Sequence, residues 1–125
     1  MAKRVRTWNK AKYERYLKEG RGQGEGSSYR PWVSVQDFSF QGAISRIAGH
    51  KTERVHHFLF RNELNYFYLL EWSDKILDIR EQYPLLDMAL AADVARKAGI
   101  RYPCDNITGF PYVQTCDFLV LSKVN

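Results

Sequence analysis

Two carboxylates stand where apolar side chains are expected. Glu63 falls in a stretch that predicts a helix, and Phe60, Phe67 and Leu70 lie at spacings that share its face. A lone carboxylate in the middle of such an apolar stripe is costly to bury unless it is paired, protonated or bound to a metal. Glu63 therefore needs a partner.

Asp117 raises the same question in a predicted strand. Alternation along residues 113–121 places Leu119 on the face of Asp117 and places Cys116 and Phe118 on the opposite face. Both faces are largely apolar, a pattern typical of a central strand that is covered on both sides. Because aspartate is a poor strand former and is rarely buried, its presence here calls for a reason.

These two carboxylates admit two explanations. Each could form a structural ion pair with an arginine or lysine, which would suffice for one isolated carboxylate. Alternatively, Glu63 and Asp117 converge on one divalent cation, which would offset their repulsion and their desolvation. Oxygen ligands alone suit Mg²⁺ or Mn²⁺, and such a cation stabilises charge on a reacting phosphate. We predict this second arrangement.

The elements that must position these residues alternate between helix and strand. The first half of the chain predicts a basic helix over 10–19, a glycine-rich loop over 20–28, an extended segment from Pro31 to Ile47 that suits a β-hairpin or a pair of edge strands, and a helix near 56–72. The second half predicts a strand over 75–83, a helix over 88–98 that Asp87 caps and Gly99 ends, a loop over 100–111 and a strand over 113–120. This alternation predicts an α/β domain. The glycine-rich loop matches neither a P-loop nor a dinucleotide fingerprint, so we predict a flexible linker there.

Length and composition restrict the class of protein. The chain has 125 residues, which is enough for one domain, and 45% of them are hydrophobic, which is enough to bury a core. We see no stretch that predicts a membrane helix and no secretory signal. Cys104 and Cys116 form no CxxC pair, so we expect two reduced thiols in a cytoplasmic protein.

Positive charge is concentrated near the N-terminus. Eight basic and two acidic side chains lie within residues 1–21. Such an arm suits contact with nucleic-acid phosphates or a solubilising role. We expect an arm and loop over 1–28 and a core over 29–125. The basic residues expected to contact DNA are Arg4, Arg6, Lys10, Lys12, Lys18 and Arg21.

Three further features suggest structural roles. His56 and His57 have no third ligand at zinc-site spacing, so we expect them at a helix start or facing DNA. Arg80 and Glu81 suit a structural salt bridge or a DNA contact. The aromatic residues expected in the core are Phe58, Tyr66, Phe67, Tyr68 and Trp72.

Several short stretches together resemble one known family. They are Lys18-Glu19-Gly20-Arg21-Gly22-Gln23-Gly24, Tyr29-x-Pro31-Trp32-Val33-Ser34-Val35-Gln36, residues 50–57, Glu63-Leu64, Leu70-Glu71-Trp72, residues 77–85 and Thr115-Cys116-Asp117-Phe118-Leu119-Val120. They occur in that family's order and cover nearly the whole chain. The sequence is similar to TnsA, the family of endonuclease subunits of heteromeric cut-and-paste bacterial transposons.

The resemblance implies a restriction-endonuclease fold, in which helices flank a mixed β-sheet. It implies that Glu63 and Asp117 are catalytic residues and that both bind Mg²⁺ or Mn²⁺. The implied activity is nicking of the 5′ strand at transposon ends in the bacterial cytoplasm. The implied partners are transposon-end DNA, a TnsB-like transposase that cuts the 3′ strand and a TnsC-like ATPase, with no membrane.

One element of that family's site is missing from this sequence. A Gln-x-Lys is expected on the strand after the aspartate, but Leu121 stands where the glutamine or glutamate would be, and Lys123 follows Asp117 too closely for a turn and a second strand. We expect a chain truncated before this element and before the family's winged-helix region. The alternatives are a short natural relative and a domain completed by another polypeptide.

Three kinds of function therefore remain open at this point. The first is a metal-dependent endonuclease, which lacks its expected lysine in this chain. The second is a non-catalytic module that binds DNA and docks partners within a transposition complex. A general nucleic-acid-binding protein that uses the basic arm is a third, weaker possibility.

Overall fold

The computed structural model describes residues 7–33 and 45–124. Within these ranges the chain combines three α-helices with four β-strands, which confirms the predicted α/β composition. In chain order they are α1 Lys10–Lys18, β1 Ser45–Ala48, β2 Val55–Phe58, α2 Arg61–Trp72, β3 Ile76–Pro84, α3 Met88–Lys97 and β4 Thr115–Ser122. None of the helices in the described ranges is long and apolar enough to cross a membrane.

The described residues form two compact units. The first unit comprises residues 7–19 and 85–114 and contains α1, α3 and the loop that follows α3. The second unit comprises residues 20–33, 45–84 and 115–124 and contains all four strands and α2. Glu63 and Asp117 both belong to the second unit. The predicted division at residue 28 stays a prediction.

In the first unit, the segment around Trp8 is packed against the loop that follows α3. The Trp8 backbone N–H donates to Asp105 Oδ2 at 2.9 Å, and its indole N–H donates to the Pro111 carbonyl at 2.8 Å. Asp105 also accepts backbone N–H bonds from Thr108 and Ile107. Hydrogen bonds from Thr108, Trp8 and Ile107 lower the pKa of Asp105 to about 2. The loop over 100–111 is therefore present as predicted and is held by side-chain acceptors.

Both helices of the first unit begin at side-chain caps. The Asn9 side chain accepts the Lys12 N–H at 2.8 Å, and the Asp87 side chain accepts the Leu90 N–H at 3.1 Å. Gly99 follows α3 with a φ of 72°, a left-handed conformation that suits glycine after a helix. The helix predicted from Asp87 to Gly99 is confirmed.

In the second unit, the helix predicted near 56–72 begins only at Arg61. Val55–Phe58 forms β2 instead, which pairs antiparallel with β1 so that Ile47 lies opposite His56. His56 and Phe58 are fully buried while Val55 is exposed. This alternation of burial along the chain is that of a strand. Pairing with β1 outweighs the helical preference of the local sequence. Residues 34–44 of the predicted hairpin lie outside the described residues.

The core of this unit lies between α2 and the strands. Its fully packed members are Phe58, Phe67, Leu70 and Ile79. The rings of Phe58 and Phe67 are 4.9 Å apart. The core prediction is wrong for three aromatic residues of α2, because Tyr66, Tyr68 and Trp72 point outward and are 48%, 51% and 89% exposed.

The part of the chain that the structure describes does not cover β4, the strand that carries Asp117, on both sides. Within the described residues β4 pairs antiparallel with β3 alone, and the described strands form two two-stranded sheets rather than one mixed sheet. Phe118 and Val120 pack against the core, whereas Leu121 is 41% exposed and Asp117 is exposed. The apolar residues on both faces of β4 predicted that both faces are covered, and this prediction is wrong for the described residues.

The glycine-rich loop is fixed on β3 and is not a free linker. Gly22 has a φ of 76°, and a Cβ at this position would lie 2.2 Å from Pro84 Cγ, so only glycine fits without a shift. The Gly26 N–H donates to Asp78 Oδ2 at 3.1 Å, and the Gly26 carbonyl accepts from Arg54 Nε at 3.2 Å. Contacts of this kind with neighbouring strands correct the linker prediction for residues 20–28.

Candidate metal site

Glu63 lies in the first turn of α2 and is only 9% exposed. Its Oε1 accepts the backbone N–H of Leu59 at 3.1 Å, just before the helix begins. The carboxylate thus binds the segment that precedes the N-cap Phe60, one residue earlier than in a capping box. Phe67 and Leu70 are buried on the same helix, as predicted, but Phe60 is 61% exposed and does not share that environment.

The electrostatic environment of Glu63 disfavours its charge. Burial raises the pKa of the Glu63 carboxyl above its ordinary value, the Leu59 N–H lowers it, and the negative charge of Asp117 raises it again. Within residues 7–33 and 45–124 neither Glu63 nor Asp117 takes part in an ion pair. The described side chains therefore do not supply the structural ion pair that the sequence left open.

The structure brings Glu63 and Asp117 to one surface. Both line an open cavity of about 500 Å³ on the second unit, together with Asn62, Tyr66 and residues 118–120. Glu63 reaches this cavity from a helix and Asp117 from a strand. Two carboxylates that repel each other across an open cavity form an arrangement that attracts a cation.

The backbone opposite Asp117 is strained. The ladder pairs Glu81 with Phe118 and Tyr83 with Cys116, so Gln82 faces Asp117 across the two strands. Gln82 has a φ of 48°, a left-handed conformation that is uncommon outside glycine and costs on the order of 1 kcal/mol or more. Irregularities of this kind in a ladder often lie beside functional sites.

The donor set fits a hard divalent cation that keeps most of its waters. Glu63 and Asp117 offer carboxylate oxygens alone, and Mg²⁺ commonly binds one or two carboxylates together with water and substrate phosphate. No three His, Cys, Asp or Glu side chains cluster as a metal site in the described part of the chain. Zinc, which needs three or four protein ligands, therefore suits this donor set poorly.

The predicted DNA-contacting residues are divided between the two units and the part of the chain outside the described residues. Arg4 and Arg6 lie outside the described residues. Lys10, Lys12 and Lys18 belong to α1, where their spacing places Lys12 on the opposite side of the helix from Lys10. Arg21 donates to the Trp32 carbonyl at 3.0 Å in the second unit. A contact between these residues and DNA stays a prediction.

Sequence reasoning missed a buried network around Glu81. This side chain is fully buried and accepts the Arg54 guanidinium on both oxygens, His56 Nδ1 at 3.1 Å and the His57 backbone N–H at 2.7 Å. Burial alone would raise the pKa of Glu81, but the hydrogen bonds from His56 and Arg54 and the attraction of these side chains lower it to about 2. Glu81 is therefore ionised at neutral pH.

The same network explains His56. Because Glu81 is an ionised acceptor, His56 Nδ1 carries the proton of this bond, and His56 Nε2 lies 2.6 Å from the Thr52 hydroxyl. The order Thr52, His56 and Glu81 is that of a hydrolase triad, but Thr52 is only 3% exposed, so no substrate reaches it. The expectation that His56 starts a helix or faces DNA is wrong.

Arg80 was expected to form a structural salt bridge or to touch DNA. It forms the salt bridge, with Asp78 on the same strand at 2.9 Å. Glu81 also forms a structural salt bridge, with Arg54, the residue that precedes β2. Nothing in the local sequence could have identified this pair, because its members are 27 positions apart.

The comparison with known proteins identifies a relative of this chain. No family model matches the sequence. Over 123 residues, which is 98% of the chain, it is 45% identical to Transposon Tn7 transposition protein TnsA of Escherichia coli. The chain spans 44% of the length of that relative. The resemblance inferred from short stretches is confirmed, and this chain is TnsA-like along nearly its whole length.

Proposed function

We propose that this chain is part of a Mg²⁺-dependent DNA endonuclease subunit of a cut-and-paste transposition system. The observation that carries the proposal is that Glu63 and Asp117 line one cavity in a chain 45% identical to a transposition protein. The proposed fold is restriction-endonuclease-like, with β3 and β4 as part of a larger mixed sheet. The proposed reaction is nicking of the 5′ strand at transposon ends.

The two carboxylates have different proposed roles at the cation. Glu63 is held on α2 by the Leu59 N–H and is shielded from water, so it supplies a ligand of fixed position. Asp117 is exposed at the cavity, which leaves room beside it for water and for a phosphate oxygen of DNA. Bound there, Mg²⁺ would supply Lewis-acid stabilisation of charge on the phosphodiester under attack.

The proposed partners are transposon-end DNA, a TnsB-like transposase and a TnsC-like ATPase. The support for them is the 45% identity to a Tn7 transposition protein. The Gln-x-Lys element expected after Asp117 has no counterpart among residues 118–125. The lysine in this range, Lys123, follows Asp117 too closely to take that role, so the proposed cleavage needs a group that these residues do not supply. We therefore expect metal binding from this chain and weak cleavage, if any, by this chain alone.

Calorimetric titration with Mg²⁺ tests the proposal. We expect one ion per wild-type chain and a loss of affinity of at least about tenfold in Glu63→Gln and in Asp117→Asn, because each removes a charged ligand. Asp74→Asn is the control, since Asp74 is an exposed carboxylate after α2 and lies outside the cavity. Equal Mg²⁺ affinity in all four proteins would contradict the proposal and leave the non-catalytic DNA-binding module as the better account.

A further inference from the structure

Glu81 takes no part in the proposed cation site, yet it joins the elements that form it. The two ligands lie on separate parts of the second unit, since β4 carries Asp117 and the segment after β2 leads into α2 and Glu63. Among the described residues β2 pairs with β1 and β4 pairs with β3, with no ladder between the two sheets. The separation of the two carboxylates therefore depends on how β2 is attached to β3.

On one side, the backbone of Glu81 fixes Asp117. Glu81 pairs with Phe118, the residue after Asp117, in the ladder between β3 and β4. The next pair along that ladder, Tyr83 with Cys116, holds the residue before Asp117. Any shift of β3 at Glu81 is transmitted to Asp117 through these pairs.

On the other side, the Glu81 side chain fixes the segment that leads to Glu63. Its Oε2 accepts the His57 N–H at 2.7 Å, and two residues later the Leu59 N–H donates to Glu63 Oε1 at 3.1 Å. N–H groups two residues apart in an extended segment point the same way. This stretch of backbone is thus held by Glu81 and Glu63 in succession.

The Glu81 carboxylate has little freedom to move. Arg54 binds both of its oxygens, and Arg54 is itself held by the Ile79 carbonyl at 2.9 Å. His56 binds Oε1, and its imidazole is fixed at the other nitrogen by Thr52. Charge-assisted hydrogen bonds of this number in a dry environment fix both position and orientation.

We infer that Glu81 is a positioning residue for the cation site, which sets the separation of Glu63 and Asp117 by fixing the backbone at His57 against β3. The inference rests on the proposed function, since it concerns the same cation. Glu81 does not contact the cation. It acts through the two strands that its backbone and side chain connect.

The test compares Mn²⁺ affinity, measured by electron paramagnetic resonance, with resistance to urea in the 125-residue chain. Glu81→Asp keeps the charge but shortens the side chain by one methylene, which pulls the backbone at His57 or breaks its bond. Glu81→Gln keeps the length but loses the charge. Asp78→Asn is the matched control, because Asp78 is a buried carboxylate on the same strand that binds Arg80 and Gly26 instead.

We expect Glu81→Asp and Glu81→Gln to weaken Mn²⁺ binding about tenfold to a hundredfold, as loss of a partner that orients metal ligands does in other proteins. Asp78→Asn should lower the urea midpoint while binding Mn²⁺ as the wild type does. Wild-type affinity in Glu81→Asp, or an equal loss in Asp78→Asn, would overturn the inference and leave the cation site intact. A wild-type chain that binds no Mn²⁺ would overturn the proposed function and this inference with it.

Discussion

Replacement of Glu81 by alanine is expected to lower the free energy of unfolding by about 3–5 kcal/mol, the loss typical of a buried ion pair deprived of one partner. The substitution removes the carboxylate that pairs with Arg54, whose side chain is 8% exposed, and with His56, which is fully buried. It also removes the carboxylate oxygen that accepts the His57 N–H. Urea unfolding followed by circular dichroism measures this loss.

The control for that loss is Asp93→Ala. Asp93 lies on α3 and also forms two ion pairs, with Arg96 and Lys97, but those partners are exposed. Exposed pairs contribute little, so the urea midpoint of this variant should stay close to that of the wild type. If the two substitutions were equally destabilising, the buried network would not be the source of stability that its geometry indicates.

The pH dependence of stability should have the same origin. The pKa of Glu81 falls from 4.5 in the unfolded chain to about 2 in the folded protein. The contribution of the Glu81 carboxylate to folding stability is therefore fully present above pH 4.5 and is lost as the pH falls towards 2. That loss is on the order of 3 kcal/mol at 1.36 kcal/mol per pKa unit. In Glu81→Gln the decline over this pH range should be smaller.

Replacement of Glu63 by glutamine is expected to change the free energy of unfolding in the opposite direction. The substitution should stabilise the metal-free protein at neutral pH. Burial and the charge of Asp117 raise the pKa of Glu63, and they outweigh the hydrogen bond from the Leu59 N–H, which lowers it. The protonated Glu63 carboxyl therefore stabilises the fold fully below pH 4.5, and this contribution is lost as the pH rises through the raised pKa. Glutamine keeps an oxygen that can accept the Leu59 N–H but carries no charge.

Thermal unfolding in EDTA at pH 7 and at pH 4 measures this effect. The midpoint of Glu63→Gln should exceed that of the wild type at pH 7, and the difference should shrink at pH 4, where the wild-type carboxyl gains its proton. With Mg²⁺ present the wild type should gain more stability than the variant, because the variant binds the ion more weakly. A lower midpoint for Glu63→Gln at pH 7 would mean that Glu63 is a structural anion and would argue against the cation site.

Local signals in the sequence predicted much of the fold. Asp87 and Gly99 marked both ends of α3, and the run from Ile76 to Tyr83 predicted β3. Local signals failed at His56 to Phe58, where the residues were assigned to the following helix. Their strand conformation depends on pairing with Ser45–Ala48, and such pairing leaves little trace in the strand's own composition.

The candidate site was also predictable only where it depends on residues close together in sequence. The burial of Glu63 followed from helical spacing to Phe67 and Leu70, which is a local relation. The exposure of Asp117 did not follow, because cover of a strand depends on which distant segments lie over it. The role of Glu81 was out of reach, since its contacts with Arg54 and His57 join residues far apart in sequence.

Paramagnetic broadening of amide NMR signals by Mn²⁺ tests most directly whether Glu63 and Asp117 together hold one divalent cation. At substoichiometric Mn²⁺ the amide signals of Leu59, beside the Glu63 carboxylate, and of Phe118, next to Asp117, should broaden first and together. Both effects should disappear in Glu63→Gln. Broadening that begins at other carboxylates such as Asp93, or that affects only one of the two signals, would show that Glu63 and Asp117 do not share a cation.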